Sequence, residues 1–475
     1  MPCVYDGWAA MGHPDWGWDS VAPYFRKVED ARGHARAEHL GRDGPVQMLQ
    51  HESWFELHRH IDASARNVGL PVQQDANDPE GPAMGYFSLD YTIDSDGHRH
   101  SALRAYLPKQ VAIERQSRLN ICTGAIVSHI ELDVEKGRAT GVCVRQTGAG
   151  PGKEVLIKAR REVIVCNGAI CSPQLLQLSG IGPASLLRSH DITVQKDLPG
   201  VGSHLSDHHG IPICLELPYH QTYHLMENPL RAAWQLLLYT FNRTGWMKSA
   251  TTNSSIFLNT DHLDTETSSI QAKPGDREFD ASAIENVPDI EIMVIPASTV
   301  MEFHPGRSLF TLYTCLIQPH SHGRVEIASK DPEESPDLEF DLLANPRDLE
   351  VARKAVRFTM HLADNFVVRS GYRHPAKLFL APNAASGRSW KDVGDDEIDE
   401  YVRETVQSAL HLGCSCRMGK EEEGGVVDNM LRVHGFTNLR VADASVFPKI
   451  PAAHTMAPTY MVAERCADFI KAAWR

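Results

Sequence analysis

The sequence lacks the features that mark several large classes of protein. Its net charge is −14 and it has no basic tract, so a phosphate backbone is a poor partner and we expect no nucleic-acid binding. Its longest strongly apolar stretch, Ala232 to Phe241, is about half as long as a bilayer crossing requires and is interrupted by Gln235. The sequence therefore predicts no membrane span.

Cysteine is scarce as well. Ten cysteines among 475 residues, at irregular spacing, are too few for a disulfide scaffold and fit a reducing compartment. The N-terminus shows no basic segment followed by an apolar one, so no signal peptide is evident. Together these absences favour a cytoplasmic location.

The length and composition are those of a large folded protein. Hydrophobic residues make up 42% of the chain and charged residues 23%, which is ordinary for a globular protein. A chain of 475 residues exceeds one ordinary core, so we expect two lobes.

The most informative stretch is C-terminal and is bracketed by His411 and His454, which are 43 residues apart. Within it Leu439, Val441 and Ala442 form a short apolar run that ends at Asp443, a pattern that predicts a strand followed by a loop carrying polar groups. Because histidine titrates near neutral pH, a convergent pair can take a proton from a hydroxyl with one ring and position the oxygen with the other. Only long-range folding brings the two together, and most of the 24 histidines must have surface or structural roles.

A second informative stretch follows a buried-type strand at 162–166. The tripeptide Asn-Gly-Ala at 167–169 lets the backbone approach another group closely. Ser172 suits a helix N-cap, Pro173 the first helical position and Gly180 the helix end, so we predict a short helix that starts near Ser172. Its N-terminus would offer unpaired N–H groups to anionic or electron-rich ligand atoms.

These two stretches resemble the signatures of the glucose-methanol-choline (GMC) oxidoreductases, flavoenzymes that oxidise alcohols with FAD. The C-terminal signature comprises HLGCSCRMG from His411, VVDNMLRVHGFTNLRVADASVFP from Val426 and KIPAAHTMAPTYMVAE from Lys449. The other signature matches at Asn167, Gly168, Ala169, Ser172, Pro173, Gln174, Leu175, Leu176, Ser179, Gly180, Ile181 and Gly182. The resemblance extends from Tyr5 to the end of the chain.

The resemblance implies an α/β plus α+β fold, a GMC-like two-lobe flavoprotein with a discontinuous FAD lobe and a substrate lobe built on a mostly antiparallel sheet. Residues 1–207 would form the N-terminal region, with FAD-lobe pieces mainly at 101–207. Residues 208–434 would form the substrate-binding lobe, and residues 435–475 would return to the FAD lobe.

The residue pattern of the second half agrees with that architecture. Short apolar runs between 289 and 340 predict a mostly antiparallel sheet. A helix should follow, capped by Asn345 with Pro346 at its first position. A second helix, predicted over 395–410, would lead directly into His411.

The resemblance also implies a chemistry. In the family, the histidine that matches His411 faces the flavin, and a second residue, His or Asn, matches His454. One imidazole would take the hydroxyl proton of a small-molecule alcohol, and a hydride would move from the carbinol carbon to flavin N5. Oxygen or another electron acceptor would then reoxidise the flavin.

Four further residues match family positions near FAD. Val127, in a strand predicted over 119–130, matches a position whose backbone contacts the flavin adenine. Asp443, Ala444 and Thr455 match positions beside the flavin. Each has a plainer alternative, since a valine in such a strand is ordinarily core and Asp443 could merely cap the next turn.

The sequence departs from the family pattern close to His411. Cys414 stands where glycine is usual, and Ser415 where threonine is usual. We interpret Cys414 and Cys416 as packing residues, with a CxC metal or redox role as the alternative.

A metal site at His204 and His208, four residues apart, is a further alternative. We disfavour it because the family has an Asn-Leu-Gln-Asp-His pattern here. Leu205, Asp207 and His208 match that pattern, whereas His204 and Ser206 depart from it.

The start of the family pattern is missing from this sequence. In the family a strand, a GxGxxG turn and a helix precede the segment that resembles residues 5–25. The nearest candidates, Gly180-Ile181-Gly182 and Gly200-Val201-Gly202, lack the third glycine. We therefore expect an N-terminally truncated chain that is colourless and inactive as written. The alternatives are a pseudoenzyme scaffold without stable FAD and a non-redox GMC-type lyase or decarboxylase.

Overall fold

A computed structural model describes residues 1–32, 39–50, 55–73, 75–148, 154–248, 251–264, 266–270, 279–300 and 304–475. Within these ranges, no helix combines the length and the apolar character that a membrane crossing needs.

Eleven α-helices lie in the described part of the chain: α1 (Pro2–Ala10), α2 (Trp18–Val28), α3 (Leu57–Asn67), α4 (Ala102–Tyr106), α5 (Lys109–Glu114), α6 (Gly168–Leu178), α7 (Ala184–Ser189), α8 (Pro229–Leu237), α9 (Pro346–Val368), α10 (Asp395–Thr405) and α11 (Met456–Ala473). A π-helical turn, Leu238–Asn242, continues α8.

The strands of the same ranges are β1 (Glu29–Asp30), β2 (Val46–Gln47), β3 (Val72–Gln73), β4 (Gly85–Ser88), β5 (Ala125–Asp133), β6 (Arg138–Gln146), β7 (Val155–Lys158), β8 (Val163–Val165), β9 (Ile181–Gly182), β10 (Lys196–Asp197), β11 (His209–Glu216), β12 (Ser254–Leu258), β13 (Ile290–Ile295), β14 (Leu309–Leu316), β15 (Arg324–Glu326), β16 (Asp337–Glu339), β17 (Lys377–Leu380), β18 (Gln407–Ser408) and β19 (Leu439–Val441).

The largest sheet has eight strands in the order β17-β11-β14-β13-β12-β4-β3, with β18 also paired to β11. All its pairs are antiparallel except β3 with β4. The mostly antiparallel sheet predicted from the short apolar runs is therefore confirmed. Helix α9 packs on this sheet, and α10 packs on α9.

A separate core surrounds the short parallel pair β8 and β19. It draws buried side chains from the N-terminal 21 residues, from 130–201 and from 414–466. The predicted domain boundaries stay a prediction. Residues 414–433, which the resemblance assigns to the substrate-binding lobe, contribute side chains to this core together with those of β19.

The first predicted helix of the second half is confirmed. Helix α9 has Asn345 as its N-cap, whose side chain accepts the N–H of Arg347 at 3.0 Å, and Pro346 occupies the first position. The second predicted helix, 395–410, ends early at Thr405. The chain instead forms β18, which pairs with the start of β11 at His209 and Gly210. A strand end therefore delivers His411.

Helix α6 starts at Gly168, so the prediction of Ser172 as its N-cap is wrong. The Ser172 hydroxyl instead donates to Asp443 Oδ2 at 2.6 Å and accepts the N–H of Asn167 at 3.1 Å. The same Asp443 oxygen accepts the N–H of Gly168 at 2.9 Å. A carboxylate from the end of β19 thus holds the first turn of α6.

The position of Pro173 inside α6 is compensated from the C-terminal stretch. Proline has no N–H, so the carbonyl of Ala169 one turn earlier lacks its usual helical partner. The Ser415 hydroxyl donates to that carbonyl at 2.5 Å. The two signatures found in the sequence therefore contact each other, and Ser415 keeps the hydroxyl of the threonine usual in the family.

Candidate active site

The structure brings His411 and His454 together. Their ring centroids lie 4.9 Å apart, with the ring planes inclined at 38°. His411 follows β18, and His454 immediately precedes Thr455, the N-cap of α11. The two predicted histidines are neighbours in space, and their catalytic role stays a prediction.

The backbone of His411 is held by Asp207. This buried carboxylate accepts the N–H of His411 at 2.7 Å and the N–H of His208 at 2.8 Å through Oδ1. Its other oxygen accepts the hydroxyl of Ser408, in β18. Asp207 therefore fixes the segment that carries His411 against the start of β11.

The ring of His411 is held by His208. Nε2 of His208 lies 3.2 Å from the carbonyl of Pro451, which can only accept, so this nitrogen carries the hydrogen. Burial, together with the neighbouring His411 and His454, lowers the pKa of His208 well below its ordinary value, so the ring is neutral and its Nδ1 accepts. His411 Nδ1, 2.9 Å away, must then donate to it.

This arrangement leaves Nε2 of His411 unprotonated, with a free lone pair. Burial and the neighbouring His454 lower the pKa of His411 to about 4. His411 is therefore a neutral ring near pH 7, with its proton on the nitrogen that faces His208.

His454 has the opposite surroundings. Its Nε2 lies 3.1 and 3.2 Å from the two oxygens of Glu291, which is fully buried in β13. The negative charge of Glu291 raises the pKa of His454 above its ordinary value. Burial alone would raise the pKa of Glu291, but the charge of His454 and hydrogen bonds from His454 and Ser255 lower it overall.

Sequence reasoning did not identify three of these partners as site residues. Glu291 is the one charged residue in an otherwise apolar strand. Because a charge in a buried strand requires a partner, this pattern could have marked Glu291 as a site residue. In the sequence, Asp207 and His208 are evident only as matches to the family pattern. The hydrogen bonds that join Asp207 and His208 to His411, and His454 to Glu291, cannot be derived from the spacing of these residues in the sequence.

His204 and His208, the alternative metal ligands, lie in different surroundings. The ring of His204 packs against His322, with centroids 4.8 Å apart, whereas the ring of His208 packs against His411 at 4.9 Å. His204 has φ +61, a left-handed conformation that asparagine, the usual family residue, adopts more easily.

Asp443 and Ala444, predicted to lie beside the flavin, make several contacts within the protein. Asp443 Oδ1 accepts the N–H of Ser445 at 2.8 Å, as the capping alternative predicts, while Oδ2 holds the first turn of α6. The carbonyl of Ala444 accepts the N–H of Cys414 at 3.1 Å. Their roles toward FAD stay predictions.

Val127 and Thr455 lie on different elements. Val127 is half-buried in β5 and packs against the core around β8 and β19. The strand predicted over 119–130 begins only at Ala125, after Gly124 adopts φ +65. Thr455 is the N-cap of α11, and its carbonyl accepts the hydroxyl of Thr459 at 2.7 Å.

The surroundings of His454 fit the flavin part of FAD. Helix α11 is 18 residues long, so the N–H groups of its first turn carry a partial positive charge that favours electron-rich atoms. Met456 in that turn is exposed, and a cavity of about 290 Å³ lies against it. Side chains such as Pro458, Phe87 and Phe257 make the wall of this cavity mainly apolar, which suits an aromatic ring system. Polar side chains also line it, among them His454, Arg26, Glu29 and Asp78.

The glycine pairs weighed as substitutes for a phosphate-binding turn are closely packed. Gly180, Gly200 and Gly202 each face a backbone carbonyl so closely that a Cβ would collide with it. These glycines allow segments of backbone to approach one another, and they leave no room for a phosphate at those faces.

Cys414 and Cys416 are free, buried thiols. Burial raises the pKa of Cys414 to about 12 and raises that of Cys416 as well. Cys414 has φ +68, the left-handed region in which glycine is favoured, which explains why glycine is usual there. Their interpretation as packing residues stays a prediction.

Comparisons with known proteins agree with the resemblance. Two family models described as GMC oxidoreductase match residues 2–210 and 319–463. An oxygen-dependent choline dehydrogenase of Pseudomonas fluorescens is 33% identical over 482 residues, covering 98% of this chain and 76% of the relative. The corresponding protein of Serratia proteamaculans is 32% identical over 476 residues, covering 98% of this chain and 77% of the relative.

A solved structure agrees as well. Formate oxidase of Aspergillus oryzae, studied for modification of its FAD, matches with a TM-score of 0.82 and 26% identity over 100% of this chain and 81% of that chain. The predicted fold class is confirmed. The prediction of an FAD-dependent oxidoreductase that acts on a CH–OH donor is confirmed as well. The chain belongs to the GMC oxidoreductase family.

Proposed function

We propose that this protein oxidises a small alcohol, with His411 as the base that takes the hydroxyl proton and His454 as the donor that holds the oxygen. The observation that carries the proposal is the contrast in hydrogen-bond partners between two rings whose centroids lie 4.9 Å apart. His208 forces the free lone pair of His411 onto Nε2, and Glu291 keeps a proton on His454.

His411 is suited to accept a proton during the reaction. Its Nε2 is unprotonated, and its ring is fixed from behind by His208 at 2.9 Å. The low pKa of the free ring means that it binds a proton only when a developing alkoxide lies beside it. The same low pKa favours release of the proton after turnover.

His454 is suited to stabilise the negative oxygen. Both of its ring nitrogens carry hydrogens when Glu291 holds it as an imidazolium, so Nε2 bonds Glu291 and Nδ1 is left for the substrate oxygen. A charged donor next to a developing alkoxide acts in surroundings partly shielded from water. The buried Glu291 balances the charge of His454 in the absence of substrate.

FAD, when bound, would supply the electron acceptor for the hydride of the carbinol carbon at N5 of its flavin. The residues that would hold it are the first turn of α11 with Thr455, the segment Asp443–Ala444 after β19, and Val127 for the adenine. The mainly apolar cavity at His454 and Met456 would limit the access of water to the reacting atoms.

The relatives suggest where to look for the substrate. The Pseudomonas fluorescens relative is named for choline and for oxygen, and the Aspergillus oryzae neighbour for formate. We propose a small primary alcohol as substrate, and oxygen as the first acceptor to test.

The test is anaerobic reduction of the flavin. The FAD-loaded protein is mixed without oxygen with choline, with its uncharged carbon analogue 3,3-dimethylbutanol, and with simple primary alcohols. We expect at least one alcohol to bleach the visible flavin absorbance, and admission of oxygen to restore it. The His411→Ala variant, loaded with the same amount of flavin, should bleach far more slowly. An oxidised spectrum with every alcohol would contradict the proposal and would favour the non-redox alternative.

A further inference from the structure

The longest apolar stretch of the sequence forms an exposed amphipathic helix that the proposed chemistry does not use. Helix α8 and its π-helical continuation span Pro229–Asn242. Leu230, Trp234, Leu237 and Phe241 are 82%, 59%, 49% and 77% exposed. Their spacing of four, three and four residues places them in one stripe along the helix. We call these four residues the α8 stripe.

The opposite face of the helix attaches it to the protein. The Gln235 side chain accepts the N–H of Trp246 at 2.9 Å, and the Tyr239 hydroxyl donates to the carbonyl of Gly97 at 3.3 Å. The side chain of Asn228 caps the N-terminus by accepting the N–H of Leu230 and of Arg231. The helix is therefore fixed with its large apolar side chains turned toward solvent.

The charges around the stripe select the kind of partner. Residues 228–248 contain three basic side chains, Arg231, Arg243 and Lys248, and no Asp or Glu, in a chain whose net charge is −14. Arg231 and Arg243 are exposed near the two ends of the stripe. An apolar stripe with tryptophan and phenylalanine, flanked by arginines, is the composition of helices that lie in a lipid–water interface.

A second copy of the chain fits this surface less well. Two-fold pairing would place the same surface on both partners, so the arginines of one helix would face those of the other without an acidic group between them. An anionic lipid surface instead offers negative charge to the arginines and hydrocarbon to the stripe.

We propose that the α8 stripe docks this protein onto an anionic lipid surface. The helix would lie parallel to the surface, with the stripe at the boundary of headgroups and acyl chains and with Arg231 and Arg243 among the headgroups. The protein would bind at the surface of the bilayer without crossing it.

Vesicle sedimentation tests the proposal without depending on activity. The protein is mixed with vesicles of phosphatidylcholine alone and with vesicles in which part of it is replaced by phosphatidylserine. We expect binding to the phosphatidylserine vesicles that weakens as salt is added. The double variant Trp234→Ser/Phe241→Ser should abolish it, and Arg231→Glu/Arg243→Glu should weaken it at least about tenfold.

Matched variants elsewhere on the surface serve as controls. Val368→Ser/Leu338→Ser removes two other exposed apolar side chains, and Arg160→Glu/Arg188→Glu reverses two other exposed charges. These should bind like the unchanged protein, and unchanged thermal unfolding should show that all variants fold. The proposal is overturned if the unchanged protein stays in the supernatant, or if the stripe variants and the controls bind equally. A dimer in sedimentation velocity that Trp234→Ser/Phe241→Ser dissociates would assign the stripe to a second copy instead.

Discussion

The two histidines of the candidate site are the same residue type in almost the same place, and their surroundings differ in kind. On one side, His411 is held by Asp207 and by the neutral ring of His208, and its pKa falls to about 4. On the other side, His454 bonds the buried carboxylate of Glu291, and its pKa rises. We call these the neutral side and the charged side.

The difference teaches how two identical side chains acquire two roles. Burial and the neighbouring His454 disfavour the imidazolium of His411, whereas the negative charge of Glu291 outweighs burial and favours the imidazolium of His454. When neighbouring titratable groups are pushed apart in pKa, one is suited to take a proton and the other to donate. The predictions below break one side or the other.

The largest effect is expected from removing the base. His411→Ala should lower kcat/KM by about a thousandfold, or about 4 kcal/mol of transition-state stabilisation. His454→Asn should lose less, because asparagine keeps an N–H donor and occurs at that position in the family. Steady-state kinetics on flavin-loaded variants, with the exposed His320→Ala as a control, measure both. Near-normal turnover of both variants would remove the roles assigned here.

The neutral side should make the fold sensitive to acid. His411 has a folded-state pKa of about 4, below its ordinary 6.5, so the unfolded chain binds more protons between these values. The free energy of unfolding should fall by up to about 3 kcal/mol as the pH falls from 6.5 to 4. His411→Gln should remove this share of the slope, as urea unfolding at several pH values would show.

The charged side should behave in the opposite sense. The folded-state pKa of His454 is raised, so its stabilisation is full below pH 6.5 and is lost as the pH rises through the folded-state value. His454→Gln should flatten the slope above pH 6.5. It should also reduce, without removing, the His411 contribution below pH 6.5, because His454 adds to the burial that lowers the pKa of His411. Identical slopes in the two glutamine variants would contradict the division into two sides.

Breaking the charged side should shift the pH profile of the reaction. Glu291→Gln removes the negative charge that raises the pKa of His454, so we expect kcat/KM above pH 6.5 to fall by about tenfold to a hundredfold. Activity should recover at lower pH, where a less basic His454 still carries its proton. Ser255→Ala is the matched control, since it removes a hydrogen bond from Glu291 and keeps the carboxylate. A uniform loss at all pH values would point to a structural role for Glu291.

The smallest effect is expected from loosening the neutral side. His208→Leu removes the acceptor for His411 Nδ1 and should lower kcat/KM by about tenfold. This loss corresponds to the free energy that one buried hydrogen bond contributes. His208→Gln keeps a side-chain acceptor and should restore part of the loss, with KM little changed. Equal kinetics for the two variants would mean that the ring of His208 does not set the tautomer of His411.

The sequence predicted one member of each side but not its partners. The motifs carried His411 and His454 because both lie in a continuous, recognisable stretch. Asp207 and Glu291 act across 204 and 163 residues of sequence, through hydrogen bonds that exist only after the large sheet has formed. The early end of α10 has the same origin, because pairing of β18 with β11 replaces the last predicted helical turn.

The local errors have equally specific causes. Ser172 has the residue type of an N-cap, but Asp443 from β19 holds the helix start at Gly168 instead. Pro173 marks a helix start in isolation, yet within α6 the Ser415 hydroxyl supplies the hydrogen bond that proline cannot. Tertiary contacts in both cases outweigh the local preference.

The most direct test is the protonation state of the two rings in the folded protein. Nitrogen chemical shifts of ¹⁵N-labelled histidines, assigned with His411→Gln and His454→Gln, report the pKa and tautomer of each ring. The account predicts that His411 stays neutral down to about pH 4 with its hydrogen on Nδ1, and that His454 titrates above 6.5. A charged His411 beside a neutral His454 at pH 7 would contradict it.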